Sequence, residues 1–237
     1  MERIKTGIMG FDELVDKGIP KGSTVLVSGG SGTGKTIFTM QYIYEGAKQF
    51  NEPGLYVTLE GNVKTITWNM QNFQWDIKKL QDKGLMKIYR LNLASQRPRI
   101  DLEEQIDREL EVISAMVKEI NATRLVVDPT TAFSVWIKEE GLLRSILYKF
   151  TNALKDLDCT TILTSETMGG KNQYSAFGVE EFVADGVVAL YFTPPNRSIF
   201  VRKMRGTNHS KSVHPFEITA NGIEIKPRDE IMWEAIK

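Results

Sequence analysis

Apolar positions along this chain keep two rhythms. Short apolar runs bounded by glycines, prolines or charged residues read as strands, and apolar residues recurring every three or four positions read as helices. Thr24–Ser28 is a short apolar run ending in glycines, and residues 36–49 follow as a helix. Leu55–Leu59 is a second strand, after which Val63, Ile66, Met70 and Phe73 mark the apolar face of a helix over 62–74. Met86–Leu91 is a third strand. Leu102, Ile106, Leu110, Ile113, Val117 and Ile120 line one face of a long amphipathic helix. The strand Leu125–Val127, a helix marked by Leu143, Ile146, Leu147, Phe150, Leu154 and Leu157, and the strand Thr161–Thr164 complete the pattern. Strands separated by helices predict an α/β fold with a mostly parallel sheet covered on both faces.

After residue 184 the rhythm changes. Val187–Phe192, Ile199–Met204, Phe216–Thr219 and Ile223–Ile225 are short strands split by the turns Pro194-Pro195-Asn196 and Ala220-Asn221-Gly222. They predict C-terminal antiparallel hairpins added to the edge of the parallel sheet. With no repeat, low-complexity tract or linker to divide the chain, one domain over residues 1–237 is expected.

Composition narrows the function classes. Hydrophobic residues make up 41% and charged residues 25%, as in ordinary globular proteins. Lys+Arg and Asp+Glu are 30 each, so no global positive field draws the chain to nucleic acid or an anionic membrane. The longest apolar run, Val187 to Phe192, is too short to span a bilayer, and the first residues do not resemble a signal peptide. A cytoplasmic location is expected. The single cysteine, Cys159, excludes an internal disulfide and is expected to be a buried structural thiol.

Residues 29–36 read Gly-Gly-Ser-Gly-Thr-Gly-Lys-Thr between a strand and a helix. In such a loop, Gly30, Ser31, Gly32, Thr33 and Gly34 turn successive N–H groups towards phosphate oxygens, and the following helix adds its positive end. Lys35 suits the β- and γ-phosphates of ATP, and the Thr36 hydroxyl suits Mg2+. Arg124-Leu-Val-Val-Asp128 is an apolar strand with a carboxylate at its C-terminal end, where open parallel sheets bind ligands. Asp128 is therefore a candidate metal partner; the alternative is an Asp capping the next turn. Pro129 follows it, so a catalytic base must come from elsewhere. Glu60, at the C-terminal end of Leu55-Tyr-Val-Thr-Leu-Glu60, is the candidate, against the alternative of an exposed strand-end acid. Arg202, Lys203 and Arg205 form a basic cluster, with Lys203 and Arg205 on one strand face. It could stabilise γ-phosphate charge in a neighbouring subunit, bind nucleic acid, or be a solvated face.

With these residues in hand, the chain resembles the KaiC-like branch of the RecA superfamily over nearly its whole length. Thr6-Gly-Ile-Met-Gly-Phe-Asp-Glu-Leu14 and Gly18-Ile-Pro-Lys-Gly22 lead into the phosphate loop. Phe177-Gly-Val-Glu-Glu-Phe-Val-Ala-Asp185, Lys203-Met-Arg-Gly-Thr-Asn-His209 and Pro215-Phe-Glu-Ile-Thr219 look like the family's C-terminal signatures. The resemblance implies a three-layer RecA-like core that assembles into a homo-oligomeric ring, commonly a hexamer, with ATP and Mg2+ between subunits. It implies that Lys203 and Arg205 form a finger reaching the neighbour's γ-phosphate, with Thr207 and His209 lining that shared site. It also makes Thr164, Ser165 and Glu166 weaker candidates for a polar sensor.

Two departures stand out. KaiC domains usually carry two adjacent glutamates at the base position, and Gly61 replaces the second here. The stretch Glu181-Phe182 resembles the family's ATPase-type domain, so self-phosphorylation there is not expected. The leading expectation is an oligomeric ATPase with a regulatory or conformational-switch role and a protein partner that the sequence does not name. The alternatives are a RadA-like DNA-dependent ATPase, for which Met168–Ser175 is the only mobile-loop candidate, and a nucleotide-binding scaffold with little turnover.

Overall fold

The computed structural model describes residues 1–93, 99–167 and 172–236. The first elements are β1 (Arg3–Ile4), α1 (Phe11–Leu14) and β2 (Ile19–Pro20), followed by β3 (Thr24–Gly29), α2 (Lys35–Phe50) and β4 (Gly54–Thr58). Next come α3 (Val63–Asn69), α4 (Ile77–Asp82), β5 (Met86–Arg90), α5 (Arg99–Ile120) and β6 (Arg124–Asp128). Then follow α6 (Phe133–Trp136), α7 (Glu140–Lys155), β7 (Thr160–Glu166), α8 (Glu180–Val183) and β8 (Gly186–Thr193). The chain ends with β9 (Asn196–Met204), β10 (Val213–Thr219) and β11 (Gly222–Ile225).

Nine strands form one sheet in the order β11-β10-β9-β8-β3-β7-β6-β4-β5. β8, β3, β7, β6, β4 and β5 run parallel, while β9, β10 and β11 continue as antiparallel neighbours. Successive residues of the central strands serve opposite faces. Val25, Val27, Tyr56, Val126 and Ile162 pack with α2 on one side. Leu26, Leu55, Val57, Leu125, Val127 and Leu163 pack with α5 and α7 on the other. This is the three-layer arrangement that the alternating pattern predicts.

Two expectations need correction. The strand Val187–Phe192 forms the expected antiparallel hairpin with β9, but it does not stand at the edge of the parallel sheet: β8 also lies parallel beside β3. Its first five residues are buried, as suits a strand covered on both faces. The helix expected over 62–74 stops at Asn69 and continues as one 3-10 turn, Met70–Asn72, after which Phe73 is extended. Cys159 is buried, its thiol donates to the Ala122 carbonyl at 3.2 Å, and burial pushes its pKa up to about 12. No helix among the described residues is long and apolar enough to cross a membrane. Of the loop candidate Met168–Ser175, residues 168–171 lie outside the described residues.

Candidate functional site at the phosphate loop

β3 runs straight into the glycine-rich loop. A Cβ at Gly29 would lie 2.5 Å from the Leu190 carbonyl oxygen, so the strand end fits against β8 only without a side chain. Gly32 and Gly34 have φ of 74° and 102°, in the left-handed region that lets the backbone curl before α2 begins. Lys35 is buried at the first turn of α2. Its ammonium donates to the carbonyls of Gly29 at 2.8 Å and Gly30 at 2.9 Å, and lies 3.7 Å from Glu166. Burial lowers the Lys35 pKa, and the charges of Glu166 and Asp128 partly oppose that shift.

Asp128 closes β6 beside this lysine. The Thr36 hydroxyl donates to its Oδ2 at 3.0 Å, Tyr56 donates to the same oxygen, and Thr164 donates to Oδ1. Three hydroxyls from three elements thus fix one carboxylate. Burial, aided by Asp128, raises the Tyr56 pKa well above its usual value and keeps the phenol a donor. Glu60 stands just past β4, whose Thr58 is in register with Asp128. Partial burial raises the Glu60 pKa first, and the negative charges of Glu166 and Asp128 add to it. Lys35, Thr36, Glu60, Asp128 and Glu166 line one cavity of about 510 Å3.

Gly61 also has a local reason. A Cβ there would come within 2.8 Å of Ile66 Cδ1 and 2.9 Å of Ile66 Cγ1. A second glutamate at this position would require Ile66 to move. Glu166, from the end of β7, shares the cavity with Glu60 and Asp128.

The donor set suits a hard divalent cation. Thr36 and Asp128 offer only oxygens, as Mg2+ prefers. No group of three or more His, Cys, Asp or Glu among the described residues could hold a metal without further ligands. Such an ion would be completed by phosphate oxygens and water, the usual arrangement for Mg2+ with a nucleotide.

Sequence reasoning missed two residues here. Tyr56 was hidden as one aromatic in an apolar strand; its polar tip was the available signal. Arg197 follows the Pro194-Pro195-Asn196 turn, which brings it back over the phosphate loop. Its Nε and Nη2 each donate to the Gly32 carbonyl at 3.4 Å, and its guanidinium sits 4.3 Å from the centre of the Phe192 ring.

The other basic residues lie elsewhere. Lys203 donates to the Glu181 carbonyl at 2.7 Å, and Arg205 pairs with Asp185 at 3.3 Å. Burial lowers the Lys203 pKa, and the charge of Arg205 adds to that. Thr207 accepts from Arg3 at 3.0 Å, and His209 Nδ1 contacts the Ser210 carbonyl oxygen at 2.8 Å. Asp185 accepts from the backbone N–H of Thr24, the first residue of β3, whereas the phosphate loop follows its last. Five residue steps separate those ends, about 16 Å at ~3.3 Å per step. Lys203 and Arg205 are therefore not brought together with the phosphate loop of their own chain. Arg205 also departs from expectation in not sharing a strand face with Lys203: it falls just past β9, in the turn at Gly206, where φ is 67°.

A larger open groove of about 1120 Å3 lies between the start of α7 and residues 172–181. It lacks the phosphate-loop backbone and the Lys35–Asp128 pair, so chemistry rather than volume selects the smaller cavity.

Sheet order and phosphate loop together define a P-loop protein with a RecA-like α/β core. The sequence pattern of the family described as "ATPase: KaiC" matches residues 4–230, and the chain belongs to that family. A UPF0273 protein of Methanocaldococcus jannaschii is 38% identical over 96% of this chain and 97% of its own length. The circadian clock oscillator protein KaiC of Thermosynechococcus vestitus is 36% identical over 96% of this chain, which spans only 44% of that protein. The crystal structure of a KaiC-like protein from Pyrococcus horikoshii superposes with a TM-score of 0.84 at 40% identity, covering 95% of this chain and 99% of that one.

Proposed function

We propose that this chain binds ATP with Mg2+ and hydrolyses it, in an oligomer where a second copy completes each site. The observation that carries the first part is the convergence of Lys35, Thr36, Asp128 and Glu60 on one cavity above the glycine-rich loop. Family membership supports nucleotide binding. Lys35 would leave its loop carbonyls to meet the β- and γ-phosphates. Thr36 and Asp128 would hold Mg2+, which when bound neutralises charge on the phosphate oxygens. Glu60 accepts a proton from the attacking water, a task suited by a pKa raised above the ordinary carboxylate range.

The second part follows from a gap. Lys203 and Arg205 sit at the far end of β3 from their own phosphate loop, yet match the family's trans-acting Lys-x-Arg finger. A neighbour in a closed ring, a hexamer by family resemblance, would supply them to the γ-phosphate, with Thr207 and His209 beside it. The ring would serve as a regulatory switch for a protein partner. Gly61 favours a second reading, a nucleotide-binding scaffold with slow turnover.

Undetectable turnover of bound ATP by the wild type would favour the scaffold, and Glu60→Gln tests the hydrolytic reading. It keeps the shape of the side chain and removes the base, so turnover should fall at least about a hundredfold while ATP affinity stays near wild type. Unchanged turnover would remove Glu60 from the mechanism.

A further inference from the structure

Glu180 opens α8 and is 1% exposed. Its Oε1 accepts a hydrogen bond from the Ser165 hydroxyl at 3.0 Å. The Thr130 hydroxyl approaches the same oxygen at 3.4 Å, the weaker arm of a donor that serves the Thr164 carbonyl at 2.9 Å. Its Oε2 is buried and has no hydrogen-bond partner. No lysine or arginine among the described residues pairs with Glu180. Burying a carboxylate without a cation is unfavourable, and two hydroxyls compensate only partly.

Its neighbours give the placement a purpose. Thr130 lies two residues after Asp128. Ser165 lies between Thr164, which donates to Asp128, and Glu166, which faces Lys35. Ser165 also accepts from the Ala176 N–H at 3.1 Å. One carboxylate thus links Ser165 of β7 with Thr130, just past β6, next to Asp128 and Glu166, which line the phosphate-loop cavity.

We infer that Glu180 is a positioning residue of the nucleotide site: through Ser165 and Thr130 it holds Asp128 and Glu166 in place beside Lys35. Glu180 itself does not line the cavity and touches no substrate. The inference rests on the nucleotide-binding reading above. A polar side chain is needed at this position because an apolar one would leave the Ser165 hydroxyl without its acceptor. The two strand ends could then shift relative to each other, and a small misplacement of catalytic groups lowers the rate more than the affinity.

The test uses the full chain with Glu180→Ala, Glu180→Gln and Ser165→Ala. For each, kcat, KM, the thermal midpoint and ATP affinity with and without Mg2+ are measured. Glu180→Ala should lose about tenfold or more in kcat with KM changed less than about threefold. Its Mg2+-dependent gain in ATP affinity should shrink, because Asp128 is less well held. Glu180→Gln should rescue both readouts, since its amide oxygen still accepts from Ser165. Ser165→Ala should reproduce the Glu180→Ala defect, and the double variant should be no worse than either single one. If Glu180→Ala does not fold, Ser165→Ala carries the test alone. A folded Glu180→Ala or Ser165→Ala protein with wild-type kcat and wild-type Mg2+ gain overturns the inference. So does a loss of thermal stability and affinity that Glu180→Gln fails to rescue. A wild type that binds ATP with Mg2+ but does not turn it over refutes the hydrolysis reading instead, and Glu180 is then judged on the Mg2+ gain.

Discussion

Replacing Arg124 with methionine should lower stability by at least about 3 kcal/mol. The side chain of Arg124 is fully buried at the start of β6. It pairs with Glu52 at 2.5 Å and donates to the carbonyls of Lys5 at 2.6 Å, Tyr42 at 2.8 Å and Thr6 at 3.3 Å. Its guanidinium lies 4.6 Å from the Tyr42 ring centre and 5.5 Å from that of Phe50. Methionine fills much of the volume but loses three hydrogen bonds to carbonyls, at roughly 1 kcal/mol each. Breaking a buried ion pair costs about 3–5 kcal/mol, and the lower end applies because solvent reaches Glu52. Glu52 is 31% exposed. For a chain of this length, 3 kcal/mol corresponds to a fall of about 6–12 °C in the thermal midpoint. The assay is thermal unfolding followed by circular dichroism at fixed nucleotide concentration, because bound ligand shifts the midpoint. Glu52→Gln and the double variant complete a cycle that isolates the pair. A fall below about 2 °C would refute the reasoning, because the carbonyls would then have found other donors.

Two further outcomes concern the site. Lys35→Ala should keep the fold and lose most ATP affinity in a direct binding titration, and undiminished binding would sink the phosphate-loop assignment. Glu60 must be deprotonated to act as a base, so activity should rise with pH through its elevated pKa. Glu166→Gln removes a neighbouring negative charge, lowers that pKa, and should move the acidic limb of the kcat–pH profile to lower pH. A limb that stays in place, or moves to higher pH, would contradict the coupling.

The parallel core was legible because each buried strand and amphipathic helix carries its own period, and the glycine loop announces itself by spacing. Local pattern says less about which strands become neighbours. The pattern therefore places β8 at an edge, although its run of apolar residues also suits a covered strand. The ends of short helices are similarly weak in sequence, so 62–74 was overextended past Asn69. At the site, Lys35, Thr36, Asp128 and Glu60 were recoverable because each sits at a strand or helix end of recognisable type. Tyr56, Arg197 and Glu180 were not, since their roles depend on contacts 72, 165 and 15 residues away along the chain. Local sequence marks Arg124 only as the start of a strand, because nothing in the chain near it reveals Glu52 and three carbonyls as partners.

The claim that two copies build each site is tested most directly by mixing subunits. Arg205→Ala should be inactive because it lacks the finger, and Lys35→Ala because it lacks the phosphate-loop lysine; loss of such a finger can cost on the order of a thousandfold in rate. In mixed oligomers, whose formation is confirmed by mass, some interfaces pair an intact phosphate loop with an intact Lys203–Arg205. ATP hydrolysis should then return above the level of either variant alone. Mixed oligomers that form and show no recovered hydrolysis, or a stable monomer that hydrolyses ATP at the full rate, would contradict the account.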